Sequence, residues 1–363
     1  MKVSVSQENL RKALSLSERA TSRTSTLPIL NNILIKTEGG RLRVSATNLE
    51  VGVHCVIGAK VEREGGVAVP ARLVSEFVSA SPTGALTLSV TNNTLSLKSP
   101  NYQTTILGFE TTEYPIIPKV GGTDVCSVPA NELRNALTSV IDAAAVSENR
   151  PELSGIHAEF RKEGIVFAAT DSFRLAERTI TTNSKRNETV IIPRTTAAEV
   201  LRMCDHVEGS VTIRIADNQI SFTGDDSEVI SRLIEGRYPD YRKIIPEKTV
   251  SRALVSRSEF EHAVRLASVF SSNVSDVTLA CGEGGIKLSA KSSAKGDTKI
   301  TVPATLKGDP FELTLNHHYL VDGIKAVPGD EVVVEYTGNG SPFMITMADT
   351  PKNTLCLVMP LRN

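Results

Sequence analysis

The chain has 363 residues, of which 40% are hydrophobic and 22% charged, with a formal net charge of −1. This length exceeds one ordinary core and predicts two or three globular domains. The near-zero charge excludes a bulk electrostatic attraction to DNA or membranes. The sequence contains no run of about 18 apolar residues, so we expect no membrane-spanning segment.

Sequence features that report on the compartment indicate a reducing cytoplasm. No charged segment followed by an apolar stretch opens the chain, so we expect no secretory signal. The cysteines are odd in number and far apart, which predicts free, mostly buried thiols. They are Cys55, Cys126, Cys204, Cys281 and Cys356. We therefore expect a cytoplasmic protein with no membrane partner.

An amphipathic helix recurs three times along the chain. The segments are VSQENLRKALSLSERA from residue 5, VPANELRNALTSVIDAAA from 128 and VSRSEFEHAVRLASVF from 255. Each has apolar residues at i, i+3 and i+4, which is one helix face. These residues are Leu10, Ala13 and Leu14; Leu133, Ala136 and Leu137; and Phe260, Ala263 and Val264. Ser256 and Glu259 also fit a capping box.

A second helix follows each first one at a constant interval. VPARLVSEFVSA begins at 69, IPRTTAAEVLRMC at 192 and LNHHYLVDGIKAV at 315, a spacing of 123 residues both times. Pro70 and Pro193 suit a helix start, where a missing N–H costs little. Asn316 takes the same place in the third copy and is expected to cap the helix.

A hairpin with alternating apolar and polar residues follows each second helix. The turns are Asn92-Asn93, Asp217-Asn218 and Asn339-Gly340, which are typical hairpin turn residues. Each unit then reads β-α-βββ-α-ββ and more, which predicts an α+β fold of three similar repeats. Two helices in each repeat pack on an antiparallel sheet. The boundaries we expect are 1–121, 122–247 and 248–363.

Catalytic motifs are missing from the sequence. It contains no GxSxG, GxxxxGK[ST] or GxGxxG pattern. Asp171 and Arg174, in FAATDSFRLAER (167–178), have the residue types of an acid and a substrate clamp. The interpretation we favour is that Asp171 caps a turn and Arg174 pairs locally.

Metal-ligating patterns are also weak. His54-Cys55 and Cys204-x-His206 come closest, but neither has a second ligand pair at the spacing of a zinc site. We expect no metal and no cofactor. Basic residues on the repeated helices are matched by about as many acids, so charge alone does not establish a DNA-binding face.

Several motifs, in order, resemble the bacterial sliding clamps, the β subunits of DNA polymerase III. They are TLPILNNILI (26–35), ATNLEVG (46–52), VPAR (69–72), RPELSGI (150–156), AATDSFRLAER (168–178), IIPR (191–194), EGRYPDYRKIIP (235–246) and MPLRN (359–363). The resemblance implies a head-to-tail homodimer that closes as a ring around duplex DNA. Such a ring catalyses nothing and tethers the polymerase catalytic subunit, which raises its effective concentration. A separate ATP-driven clamp loader places it on DNA.

The resemblance also implies functional residues, by position. A groove for partner peptides is formed by Leu153, Thr170, Ser172, Phe173, Arg174, Leu175, Pro239, Lys243, Ile244, Leu357, Val358, Met359, Pro360, Leu361 and Arg362. Arg23, Arg72, Arg194 and Arg202 face DNA, and Ile106, Val269 and Phe270 pack across the dimer seam. The family usually has glycine where this chain has Ser172, so a left-handed backbone there would be strained.

Two rival classes stay open from the residues alone. One is a repeat-built hydrolase that uses Asp171, and the other is a scaffold that does not act on DNA. A ring of this kind requires a dimer near twice 39.0 kDa, and neither rival does.

Overall fold

A computed structural model describes residues 1–22, 27–146, 149–350 and 353–361. That part of the chain contains six α-helices and 26 β-strands. None of its helices is long and apolar enough to cross a membrane.

The first repeat has two helices and nine strands. They are β1 (Lys2–Ser6), α1 (Gln7–Glu18), β2 (Asn32–Glu38), β3 (Arg41–Thr47), β4 (Val51–Ile57), β5 (Lys60–Arg63), β6 (Gly66–Pro70), α2 (Ala71–Ala80), β7 (Ala85–Thr91), β8 (Thr94–Lys98) and β9 (Gln103–Leu107). Leu10, Ala13 and Leu14 are buried, as the helical spacing predicts. Asn92 and Asn93 have φ of 45° and 58°, which the predicted two-residue turn requires.

The second repeat has the same order with one strand fewer between its helices. Its elements are β10 (Asp124–Pro129), α3 (Ala130–Val140), β11 (Gly155–Arg161), β12 (Gly164–Thr170), β13 (Arg174–Thr181), β14 (Glu188–Pro193), α4 (Arg194–Cys204), β15 (Ser210–Ala216), β16 (Gln219–Gly224) and β17 (Ser227–Arg232). Leu133, Ala136 and Leu137 are buried, so the second predicted helix face is confirmed.

The third repeat returns to the pattern of the first. It consists of β18 (Ser251–Ser256), α5 (Arg257–Ser268), β19 (Asp276–Gly282), β20 (Gly285–Ser292), β21 (Gly296–Val302), β22 (Ala304–Lys307), β23 (Phe311–Asn316), α6 (His317–Ala326), β24 (Glu331–Tyr336), β25 (Phe343–Met347) and β26 (Thr354–Val358). The predicted Asn316 cap is confirmed, and of the predicted capping box the structure shows the bond to Ser256. Glu259 N donates to Ser256 Oγ at 3.5 Å, and His318 N donates to Asn316 Oδ1 at 2.9 Å.

The sequence pattern located only some of the strands of each repeat. It indicated three strands between the helices, a hairpin after them and further strands, and the structure has four or five and then three. The strands it missed include β5 and β22, four-residue edge strands with largely exposed side chains. Such strands bury no face, so no alternation of apolar residues marks them.

The strands form two compact units. The first contains residues 1–134 and 195–233. It holds a five-stranded sheet (β5-β1-β7-β8-β9) and an eight-stranded sheet (β10-β15-β16-β17-β4-β3-β2-β6). The eight-stranded sheet joins strands of two repeats where β17 pairs with β4, with Val229 opposite Val53.

The second unit contains residues 135–194 and 234–363. It holds a nine-stranded sheet (β14-β11-β12-β13-β26-β25-β24-β18-β22) and a four-stranded sheet (β21-β20-β19-β23). Here β13 of the second repeat pairs with β26 of the third, with Leu175 opposite Leu357. This junction of two repeats places the segments considered below next to each other.

All five cysteines are free and buried, which confirms that prediction. Burial raises the pKa of Cys55 to about 11. The thiols therefore stay protonated and serve as small apolar core residues.

His54, on β4, gives the first unit a pH-dependent stability. Burial, followed by the charges of Arg43 and Lys119, lowers its pKa to about 4, and its Nδ1 lies 2.8 Å from Ser45 Oγ. The unfolded chain takes up this proton near pH 6.5. We therefore expect stability to fall as the pH drops from about 6.5 to about 4, by up to about 3 kcal/mol.

Urea unfolding across that pH range measures the effect. His54→Gln should flatten the dependence, and the matched control His262→Gln, at an exposed histidine, should not change it. A pH dependence that is identical in His54→Gln and the unaltered chain would contradict this assignment.

Candidate functional site

A tight turn between β12 and β13 begins the site. Thr170 Oγ1 donates to Arg174 O at 2.6 Å and accepts from Ser172 N at 3.2 Å. Asp171 Oδ1 accepts from Phe173 N at 2.9 Å and Arg174 N at 3.0 Å. These two side chains satisfy the backbone of the turn and fix its shape.

Ser172 adopts a backbone conformation that favours glycine. Its φ is 80°, in the left-handed region, where a Cβ costs about 1–2 kcal/mol. The strain expected from the sequence is therefore present. The hydrogen bonds of the turn hold Ser172 in this strained conformation. Backbone strain of this kind is often found at functional segments.

The same turn occurs in the first repeat, in ATNLEVG. Thr47 Oγ1 donates to Val51 O at 2.9 Å and accepts from Leu49 N at 3.0 Å. Asn48 Oδ1 accepts from Glu50 N and Val51 N at 3.0 and 2.8 Å. Leu49 has φ 77°. The two turns are thus structural copies, which supports the repeat read from the sequence.

Arg174 is held by two carboxylates and a ring. Its Nε donates to Asp171 Oδ2 at 3.0 Å and its Nη1 to Asp322 Oδ2. The guanidinium carbon lies 4.6 Å from the centroid of the Tyr319 ring, and 12% of the side chain is exposed. The prediction that Asp171 caps a turn and Arg174 pairs locally is confirmed. The hydrogen bond to Asp322 and the stacking on the Tyr319 ring were not anticipated.

The end of the chain lies against this turn. In the β13–β26 pairing, Arg174 is opposite Val358. Met359 N extends the pairing by donating to Phe173 O at 2.8 Å, and Leu361 N donates to Thr314 O at 2.8 Å. The two segments predicted to share a groove are therefore adjacent, and backbone hydrogen bonds fix the path of the tail.

The predicted groove positions divide into a floor and a rim, all within the second unit. The floor residues are buried: Leu153, Thr170, Leu175, Leu357 and Val358. The rim residues are exposed or half-buried: Ser172, Phe173, Arg174, Pro239, Lys243, Ile244, Met359, Pro360 and Leu361. Phe173 is 61% exposed and Ile244 49%. Arg362 lies outside the described residues.

Sequence reasoning missed two tyrosines beneath the groove. Tyr238 and Tyr241 are buried with Leu153, Leu175 and Leu357 in one hydrophobic cluster. Tyr238 OH accepts from Thr170 N at 3.0 Å. Burial raises the pKa of both phenols, so they remain neutral. The RYPDYRK motif contains both residues, but a loop motif has no periodicity that would mark them as core.

Three of the predicted DNA-facing arginines form ion pairs with acidic residues that lie on a helix or next to one. Their side chains remain between one-third and four-fifths exposed. The pairs are Arg72 with Glu76, Arg194 with Asp142 and Arg202 with Glu199. Arg23 lies outside the described residues.

The predicted seam residues differ in exposure. Ile106, on edge strand β9, is 2% exposed and fills the core of its own sheet, whereas Leu107 is 78% exposed. Val269 is 60% exposed, and Phe270 is half-buried. Leu107 is therefore better placed than Ile106 to meet a partner.

Within the part of the chain that the structure describes, no three His, Cys, Asp or Glu side chains converge on a metal site. The site has an apolar floor, an adaptable apolar rim and few charges. This composition suits the binding of a short peptide.

Comparison with known proteins identifies the class. Models of the DNA polymerase III beta subunit match residues 1–118 (N-terminal domain), 127–240 (central domain) and 242–362 (C-terminal domain). The beta sliding clamp of Staphylococcus aureus is 29% identical over 359 residues, which cover 95% of this chain and 94% of that protein.

Solved structures agree. The sliding clamp of Bacillus subtilis and the DNA polymerase III beta subunit of Thermotoga maritima each superpose with a TM-score of 0.92 at 25% identity, over 100% of this chain and 99% of theirs. Fold and site thus define a DNA clamp of three α+β domains. The chain belongs to the bacterial DNA polymerase III β subunit family, whose members are processivity factors and not enzymes. The resemblance read from the motifs is confirmed.

Proposed function

We propose that this chain pairs head to tail with a second copy and closes around duplex DNA as a sliding ring. It tethers the DNA polymerase III catalytic subunit and receives the clamp loader and other proteins in its groove. The observation that carries this proposal is the family match along nearly the whole chain. The three repeats are assigned to 1–121, 122–247 and 248–363, and the matched ranges support them. We assign the protein to the cytoplasm.

Asp171 is poorly placed to act as the catalytic acid or base of a hydrolase. Both oxygens of Asp171 accept hydrogen bonds from the turn and from Arg174. A carboxylate occupied in this way is poorly suited to take a proton from a substrate.

Sedimentation tests the assembly most simply. A dimer has twice the chain mass of 39.0 kDa, and we expect it at micromolar concentration. A monomer at every accessible concentration would contradict ring closure.

The groove is proposed to receive linear peptides. Its buried leucines provide a fixed floor, and Phe173, Ile244 and Met359 offer flexible or exposed apolar contacts. Methionine in particular adapts to varied ligands. Binding near the micromolar range, about −8 kcal/mol, would allow partners to exchange on one ring.

The dimer seam is proposed to join β9 of one copy to the β21 edge of the next. Both strands lie at sheet edges, and α5, which ends just before Val269, packs against β21. Edge strands and exposed apolar residues are liabilities unless they are covered. Leu107 and Val269 are the residues we assign to the contact.

DNA contact is proposed for Arg72, Arg194 and Arg202, with Arg23. Exposed ion pairs are weak and screened by salt, so phosphates can take the place of the acids. Replacing the three helix arginines with alanine should lower the slope of log affinity against log salt by about 0.9 for each phosphate that is no longer neutralised. Fluorescence anisotropy with a short duplex measures that slope.

A matched control uses three arginines on strands that are also paired with acids and whose side chains are 35% to 48% exposed. These are Arg41, Arg161 and Arg214. Their replacement should leave the slope unchanged. Equal slopes in both triple variants would remove the helix arginines from the DNA face.

A further inference from the structure

The groove turn is attached to helix α6 through one side chain. Arg174 donates to Asp171 within the turn and to Asp322 on α6, and its guanidinium lies over Tyr319. The Arg174 and Asp171 side chains are 12% and 15% exposed. A guanidinium so withdrawn from water depends on its carboxylates, and the absence of one leaves its charge poorly compensated.

Comparison with the first-repeat turn shows that the Arg174 contacts to α6 do not determine the shape of the turn. The same backbone hydrogen bonds form at 47–51 with uncharged Asn48 in place of Asp171 and Val51 in place of Arg174. The turn therefore needs no ion pair to reach its shape. The contacts to Asp322 and Tyr319 are additional, and their physical effect is to fix the turn against α6.

Helix α6 is a firm anchor. A Cβ on Gly323, the residue after Asp322, would lie 2.9 Å from Cys356 Sγ. The helix therefore packs directly on β26, the strand that leads into the tail. A position this close-packed cannot shift without disturbing the core.

Empty space adjoins the same arginine. A cavity of about 90 Å³ is lined by residues that include Arg174, Asp142, Asp322 and Cys356. Without the Asp322 bond, the guanidinium has room to swing towards this cavity. The turn would keep its own hydrogen bonds and its pairing with β26, but it would lose its attachment to α6, and exposed Phe173 would be held less firmly at the groove rim.

We propose that Asp322 is a positioning residue for partner docking, acting on the groove through Arg174. This inference rests on the proposed docking function. It means that partner affinity depends on a carboxylate that is not among the predicted groove positions. It also gives Arg174 a positioning role, as the link that holds the turn with Phe173 against α6.

The two roles predict opposite results for Asp322→Asn. If Arg174 positions the turn, the variant weakens binding. If Arg174 contacts the partner directly, removal of a competing carboxylate leaves binding unchanged or tightens it. The amide retains the size of the carboxylate, so packing against α6 is preserved.

The experiment titrates a fluorescent peptide carrying the clamp-binding segment of a DNA polymerase III catalytic subunit against the full-length dimer. We expect Asp322→Asn and Arg174→Ala each to weaken binding by about tenfold, and the double variant no more than Arg174→Ala, as for two residues of one network. Asp142→Asn is the matched control, because Asp142 lines the same cavity but pairs with Arg194. Its affinity should stay within about twofold.

Amide hydrogen exchange provides a second readout that does not need the peptide. In Asp322→Asn, the amides of Phe173 and Arg174 should exchange faster, while those of Glu50 and Val51 in the first-repeat turn should not change. General destabilisation would instead accelerate exchange beyond the groove turn.

Unchanged or tighter peptide binding by Asp322→Asn, or unchanged exchange at Phe173, would overturn the positioning role. A wild-type protein that fails to bind the peptide would contradict the docking function itself. In that case the exchange measurement still decides whether Asp322 holds the turn.

Discussion

Deleting Met359–Asn363 should abolish binding of the polymerase peptide while leaving the dimer intact. The tail is fixed by the bond from Met359 N to Phe173 O and by the bond from Leu361 N to Thr314 O. Its deletion removes the half-buried rim residues Met359, Pro360 and Leu361. Peptide anchors bind through a few buried contacts, so we expect the Kd to rise from about micromolar to at least about millimolar.

Fluorescence titration measures this effect, and sedimentation of the same sample reports the dimer. Val274→Ala is the control, since Val274 is 66% exposed in the same unit and belongs to no groove position. Undiminished affinity in the truncated protein would mean that partners dock elsewhere and that the tail is ordinary packing.

Changing Leu107 and Val269 together to aspartate should convert the dimer to monomers at micromolar concentration. Both side chains are largely exposed in the single chain, so the substitutions leave each core intact. In a packed seam, each would bury an unpaired charge at a cost of a few kcal/mol. We therefore expect the dimer Kd to rise by at least about a hundredfold.

The control for the seam is Ile116→Asp. Ile116 is 94% exposed and lies on neither proposed edge strand, so this variant should remain dimeric. A Leu107→Asp, Val269→Asp protein that sediments as a dimer would place the seam on other residues.

The parts of the fold that were predictable are those with a strong local pattern. The buried faces of the first helices followed from a spacing of three and four residues. The caps at Ser256 and Asn316 followed from residue type. The Asn92-Asn93 turn followed from the need for positive φ. Each of these features depends on neighbours in the sequence, so the sequence alone can indicate it.

The parts that were missed depend on contacts distant in sequence or on strands without a buried face. In β9, QTTIL places apolar residues on both faces, and no periodicity tells whether Ile106 or Leu107 faces the core. The partner of Arg174 lies 148 residues away, on α6. The tyrosines beneath the groove come from a loop. Only the folded chain brings these groups together.

This protein is proposed to hold DNA by enclosing it. Enclosure is tested most directly by loading the protein onto nicked circular DNA with a clamp loader, then cutting the circle and measuring by gel filtration the protein that remains bound. We predict stable retention on the intact circle and rapid release after linearisation, because a ring slides off a free end. Equal retention on circular and linear DNA would contradict the account.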